Sequence, residues 1–157
     1  MPPQLLVDPS TFDANKVVMT LEEIRKYNAQ RFEMEQLSGV LKFDPAVGEI
    51  VCYKDLGPDE FWIRGHIPGR PLMPGVIMIE AAAQMCSLYF GMVSAMDKFI
   101  GFGGVDGVKF RGQVVPGDKL ILLGKLVELR PRRAIFDTQG VVNGSMVFQA
   151  QITGMPV

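Results

Sequence analysis

The sequence predicts an α+β fold in which one long buried helix is wrapped by an antiparallel sheet, and three observations carry that expectation. The run from Val76 to Met96 is rich in helix formers and apolar on nearly every face. Strand-like segments punctuated by turn residues lie on both sides of it. The pair Asn143-Gly144, between two such segments, is the strongest short hairpin signal a sequence offers. With 157 residues and 48% hydrophobic content, residues 1–157 are read as a single domain, large enough for a full core.

Taken in order, an N-terminal arm over residues 1–19 precedes Thr20-Leu21-Glu22-Glu23, a capping-box pattern that starts a short helix ending near Asn28. From Gln30 to Val40, Phe32 and Met34 alternate with Arg31, Glu33 and Glu35, which predicts a half-buried strand. The turn residues Asp44, Pro45 and Gly48 join it to a second strand over Ile50 to Lys54. After the central helix, Phe99 to Phe110 reads as a strand interrupted by glycines, and Pro116-Gly117-Asp118 as a turn. Lys119 to Leu129 is apolar on both faces, so it is expected to be covered on both. Ala134 to Val142 and Ser145 to Thr153 form the closing hairpin.

Composition narrows the function. Sixteen basic and 17 acidic residues leave a net charge of -1, so there is no general field for nucleic acid or an anionic membrane. The central run contains Glu80 and Gln84 and has no companion span, which favours a core helix over a membrane helix. Cys52 and Cys86 sit among apolar neighbours without metal-ligand spacing and are read as reduced core residues. The opening Met1-Pro2-Pro3-Gln4-Leu5-Leu6-Val7-Asp8 lacks the basic and long apolar regions of a secretory signal. A cytoplasmic location is expected.

Three features carry chemistry. Glu80 is the only carboxylate in the apolar helix, and Gln84 lies one turn later on the same face. Burial disfavours a charged carboxyl group, so Glu80 is expected to hold a proton it can donate. His66, the only histidine, lies in the Pro- and Gly-rich loop Gly65-His66-Ile67-Pro68-Gly69-Arg70-Pro71, where it is held in place and can take a proton near neutral pH. Pro74 and Gly75 mark the helix start, where the free amides of Gly75 and Val76 form an oxyanion site that no Gly75 side chain blocks. A base, an oxyanion site and an acid suit the removal of water from a 3-hydroxyacyl thioester. That chemistry needs no cofactor, and neither clustered metal ligands nor a dinucleotide fingerprint is present.

The run Gly65 to Val76, followed by Glu80-Ala81-Ala82-Ala83-Gln84, resembles the 3-hydroxyacyl-[acyl carrier protein] dehydratases of bacterial fatty acid synthesis, a hot-dog fold family. The fourteen-position step from His66 to Glu80 and the segment Phe110-Arg111-Gly112-Gln113-Val114-Val115-Pro116-Gly117-Asp118 are similar to that family too. The resemblance implies that His66 and Glu80 are a catalytic pair from different subunits of a dimer, often assembled further into hexamers. It implies that Gln84 orients Glu80, that the Leu72 carbonyl holds His66, and that the Gly75 amide binds the thioester oxygen. The acyl chain is expected in an apolar tunnel, with Arg111, Arg130, Arg132 and Arg133 as candidates to meet the acidic carrier protein. The family's Leu-Pro-His-Arg-Tyr-Pro-Phe segment is replaced here by Lys26-Tyr27-Asn28-Ala29-Gln30-Arg31-Phe32, and its phenylalanine after the histidine by Ile67. Glu80 stands where the dehydratase-isomerase branch has aspartate, which points to dehydration without isomerisation. Rival readings are an acyl thioesterase on the same fold and a non-catalytic acyl-binding subunit of a lipid-synthesis assembly.

Overall fold

The computed structural model describes residues 3–94 and 99–157. Seven antiparallel strands form one sheet: β1 (Met19–Thr20), β2 (Gly39–Asp44), β3 (Glu49–Asp55), β4 (Ile100–Phe110), β5 (Lys119–Arg130), β6 (Arg133–Val142) and β7 (Ser145–Pro156). Their order across the sheet is β1-β2-β3-β5-β6-β7-β4. Between β3 and β4 the chain forms the long helix α2 (Gly75–Val93), against which the concave face of the sheet packs, as a hot-dog fold requires. A short helix, α1 (Leu21–Ile24), follows β1, and its Thr20–Glu23 capping box is formed.

The core follows the pleat. Ile50 and Cys52 of β3 and Leu120 and Leu122 of β5 turn inward onto Met85, Leu88 and Tyr89 of α2. Val51, Tyr53 and Leu123 turn the other way and pack with Leu41 and Val141. The N-terminal arm covers this second face: Val7 is buried there, and Leu5, Leu6, Phe12 and Ala14 pack around it. Polar ties reinforce the strap, with Leu6 N donating to Gln139 Oε1 (2.8 Å) and Lys119 Nζ to the Ala14 carbonyl (2.6 Å). The double cover expected of β5 therefore exists over Leu120–Leu123, but its far end, with Val127 and Leu129 exposed, lies bare. Asn143 (φ 49°) and Gly144 (φ 79°) both sit in the left-handed region, as the tight β6–β7 turn demands.

Several expectations need correction. The arm ends at Val18, since Met19 and Thr20 pair with Val40 and Gly39. The strand expected over Gln30 to Val40 begins only at Gly39; Phe32–Met34 is a 3-10 turn, with Phe32 at φ 56° and 86% exposed. Arg31 explains the difference: its guanidinium donates to the carbonyls of Arg25, Asn28 and Gln30, which keeps this segment wound instead of extended. The central helix begins at Gly75 and ends at Val93, with Ser94 extended; Ala95 and Met96, expected to continue it, lie outside the described residues, as do Met1 and Pro2 of the arm. Nor is the helix buried all round: Val76 is 68% exposed, and Glu80, Ala83 and Ser87 continue a half-buried stripe from it. By length and apolarity α2 could cross a membrane, but in this fold its buried side chains form the core beneath the sheet.

Candidate active site

The half-buried stripe of α2 opens onto a cavity of about 230 Å3 between the helix and strands β4, β6 and β7. Its polar wall is made by Glu80, Gln84 and Gln30, its apolar wall by Ala83, Phe136 and Ile152. Phe136 is buried beneath it and meets Tyr89 edge to face. Glu80 is held from one side, because Gln84 Nε2 donates to Glu80 Oε1 at 2.9 Å. That carboxamide has no freedom to turn: Nε2 also donates to the Met34 carbonyl (2.6 Å), and Oε1 accepts from Gln36 N–H (2.9 Å). Two backbone groups thus decide that Gln84 offers N–H to Glu80. A protonated Glu80 therefore keeps Oε1 as acceptor and carries its hydrogen on Oε2.

His66 occupies the exposed loop 64–71, anchored by the buried Trp62, whose carbonyl accepts from His66 N–H at 2.9 Å. Its ring Nδ1 lies 2.8 Å from the Leu72 carbonyl. A carbonyl can only accept, so Nδ1 carries a hydrogen, and in the neutral ring Nε2 presents its lone pair. His66 is not among the residues lining the Glu80 cavity. One chain therefore presents His66 and Glu80 on separate surfaces.

Gly75 opens α2, and no side chain caps that helix end. A Cβ on Gly75 would stand 2.6 Å from Cζ of Phe110, so the missing side chain makes room for this ring. Val76 is exposed beside it. Among the carrier-contact candidates, Arg111 donates twice to Gln149 Oε1, while Arg130 and Arg133 both pair with Glu128. Among the described residues Arg132 makes no ion pair, nor do Arg64 and Arg70, which flank His66 and which the sequence reading passed over. Asn28 and Gln30 were also missed; Asn28 Nδ2 donates to the Gln84 carbonyl at 3.0 Å, a contact across 56 positions of sequence. Cys52 and Cys86 are buried free thiols, and burial raises both well above the usual thiol range. No three His, Cys, Asp or Glu side chains among the described residues are grouped to hold a metal ion.

A FabA-like domain matches residues 28–151, which include the His66 loop, α2 and most of the cavity walls. The chain belongs to the FabA-like family. It is 34% identical over 146 residues to the 3-hydroxyacyl-[acyl-carrier-protein] dehydratase FabZ of Polynucleobacter necessarius subsp. necessarius (strain STIR1), covering 92% of this chain and 93% of that protein. Solved structures share the FabA-like architecture at lower identity. The dehydratase heterocomplex ApeI:P from Xenorhabdus doucetiae superposes with a TM-score of 0.73 at 16% identity, over 85% of this chain and 90% of that one. A hypothetical thioesterase with coenzyme A from Streptococcus pneumoniae TIGR4 gives 0.61 at 12%, over 88% and 97%. At such identities these structures speak for the fold alone, and that fold hosts more than one chemistry.

Proposed function

We propose that this protein removes water from (3R)-3-hydroxyacyl thioesters carried on acyl carrier protein, giving the trans-2-enoyl thioesters of fatty acid synthesis, with His66 as general base and Glu80 as general acid. The observation that carries the roles is the fixed hydrogen-bond polarity on each side. With Nδ1 turned to the Leu72 carbonyl, a neutral His66 offers Nε2 as the base, and with Oε1 accepting from Gln84, a protonated Glu80 offers its proton from Oε2. His66 Nε2 takes the proton from C2, the released electron pair forms the C2–C3 double bond, and the C3–O bond breaks as Glu80 Oε2 delivers its proton to make water. The amides of Gly75 and Val76, at the uncapped start of α2, hold the thioester oxygen while negative charge gathers on it.

The site is completed by a second copy of the chain. Supporting this, His66 and the Glu80 cavity lie apart within one chain, and β4 ends the sheet with no strand on its outer edge among the described residues. Phe99 and Phe102 are exposed along that edge, and Phe110 and Val76 beside the helix start. An open strand edge with exposed aromatic side chains suits pairing with its own kind. Such dimers could assemble further into hexamers. The unpaired Arg132, with Arg111, supplies positive charge for the carrier protein, and the setting is cytoplasmic. Residues 1–157 act as a single domain.

The test is incubation with a 3-hydroxyacyl thioester while the ultraviolet absorbance of the enoyl product and the free thiol are followed separately. Enoyl without thiol is the expected result; thiol release without enoyl is that of a thioesterase, and neither is that of a binding subunit. His66→Ala and Glu80→Gln are each expected to lower kcat by about 10²-fold or more without unfolding the chain.

A further inference from the structure

Behind the Glu80–Gln84 pair lies a second space, a small cell of about 10 Å3 with Asn28, Gln30 and Gln84 in its walls. Gln30 and Gln84 also line the Glu80 cavity, so the Gln30 side chain is a partition between the two spaces. Two buried carboxamide oxygens here have no partner, Asn28 Oδ1 and Gln30 Oε1. Asn28 is 5% exposed, and its Nδ2 is committed to the Gln84 carbonyl at 3.0 Å. Turning that amide over would bring two oxygens together, so Oδ1 stays where it is. A buried acceptor without a donor is costly, and folded proteins rarely leave one unsatisfied. The cell has the volume of a single water molecule, and a water has two hydrogens to give.

We propose that the cell binds one water, which donates to Asn28 Oδ1 and Gln30 Oε1, and that Gln30, fixed in this way, turns its Nε2 into the Glu80 cavity as a hydrogen-bond donor to the 3-hydroxyl oxygen of the substrate. Among the described residues Gln30 Nε2 has no hydrogen-bond partner, so it is free for a ligand. The 3-hydroxyl is the substrate atom that must approach Glu80, and Gln30 shares that wall of the cavity. A neutral N–H there orients the oxygen for protonation and steadies the charge it gathers as C3–O lengthens. This inference rests on the dehydratase reading above.

Gln30→Met keeps length and removes both amide groups. Its kcat/KM for a 3-hydroxyacyl thioester is expected to fall about tenfold, the scale of one hydrogen bond to substrate. Inhibition by the enoyl product, which has no 3-hydroxyl, is expected to be unchanged, and a melting curve checks the fold. A merely structural Gln30 would weaken both ligands together, and that result, or an unchanged kcat/KM, overturns the proposal. A crystal structure of the wild type is expected to show an ordered water within hydrogen-bond distance of both oxygens; an empty cell overturns it too. Absence of enoyl formation by the wild type would sink the dehydratase reading itself, whereas an active wild type matched by Gln30→Met sinks only this one.

Discussion

At the scale of single residues, Gln84 has the least freedom of any side chain at the site, with both amide hydrogens and its oxygen committed to Met34, Glu80 and Gln36. Gln84→Leu strands the Met34 carbonyl and the Gln36 amide, so a loss of about 2 kcal/mol or more in a denaturant titration is expected, with kcat falling as Glu80 is released. A loss of activity with no loss of stability would contradict the lock described here. Gly75→Ala is expected to displace Phe110 and lower activity, because the new Cβ would stand inside van der Waals contact of the ring. His66 and Glu80 stand out in the sequence as candidates because each is alone of its kind, one in a stiff loop and one in an apolar helix. Asn28 and Gln30 were not legible. Their importance comes from contacts with a helix more than fifty positions away, and nothing in their local sequence announces it.

Among the elements, the helix, strand β3 and the β6–β7 hairpin could be read directly, since apolar periodicity and turn chemistry agree there. The segment from Gln30 to Val40 could not, because its alternation has no buried face behind it: Phe32 and Met34 are both exposed, and Arg31 holds the backbone in a turn. The role of the arm was equally hidden, as the partners of its apolar residues lie on strands far along the chain. Val7→Ala is expected to cost about 1–3 kcal/mol, measured by urea unfolding, and a change within error would mean that the strap is idle. Two paired carboxylates set the acid limit. The hydrogen bond from Arg25 holds Glu35 below the usual carboxylate value of 4.5, and those from Lys42 and then Lys125 hold Glu49 below it. Their stabilisation is complete above about pH 4.5 and is lost as the pH falls below it toward the lowered values. Glu49→Gln is therefore expected to flatten the fall in Tm below pH 4.5 relative to the wild type; parallel curves would contradict this.

For the whole molecule, the decisive feature is that His66 and Glu80 lie apart within one chain. Glu80 sits on the half-buried stripe of α2, in the cavity walled in part by β4, while His66 rides on an exposed loop outside that cavity. On the proposed reading, a second copy related by a two-fold axis brings them together and makes two equivalent sites per dimer. The fold class could be read from the sequence, but this division of labour could be inferred only from resemblance, because relations between copies leave no periodicity in one chain. The most direct measurement is complementation: inactive His66→Ala and Glu80→Gln chains are unfolded together, refolded as a mixture and assayed for enoyl formation. Shared sites predict that about one quarter of wild-type activity returns, since half of the random dimers are mixed and each mixed dimer rebuilds one intact pair. A mixture as inactive as its two components, with mixed dimers shown to be present, would mean that base and acid do not meet across copies, and would contradict the account.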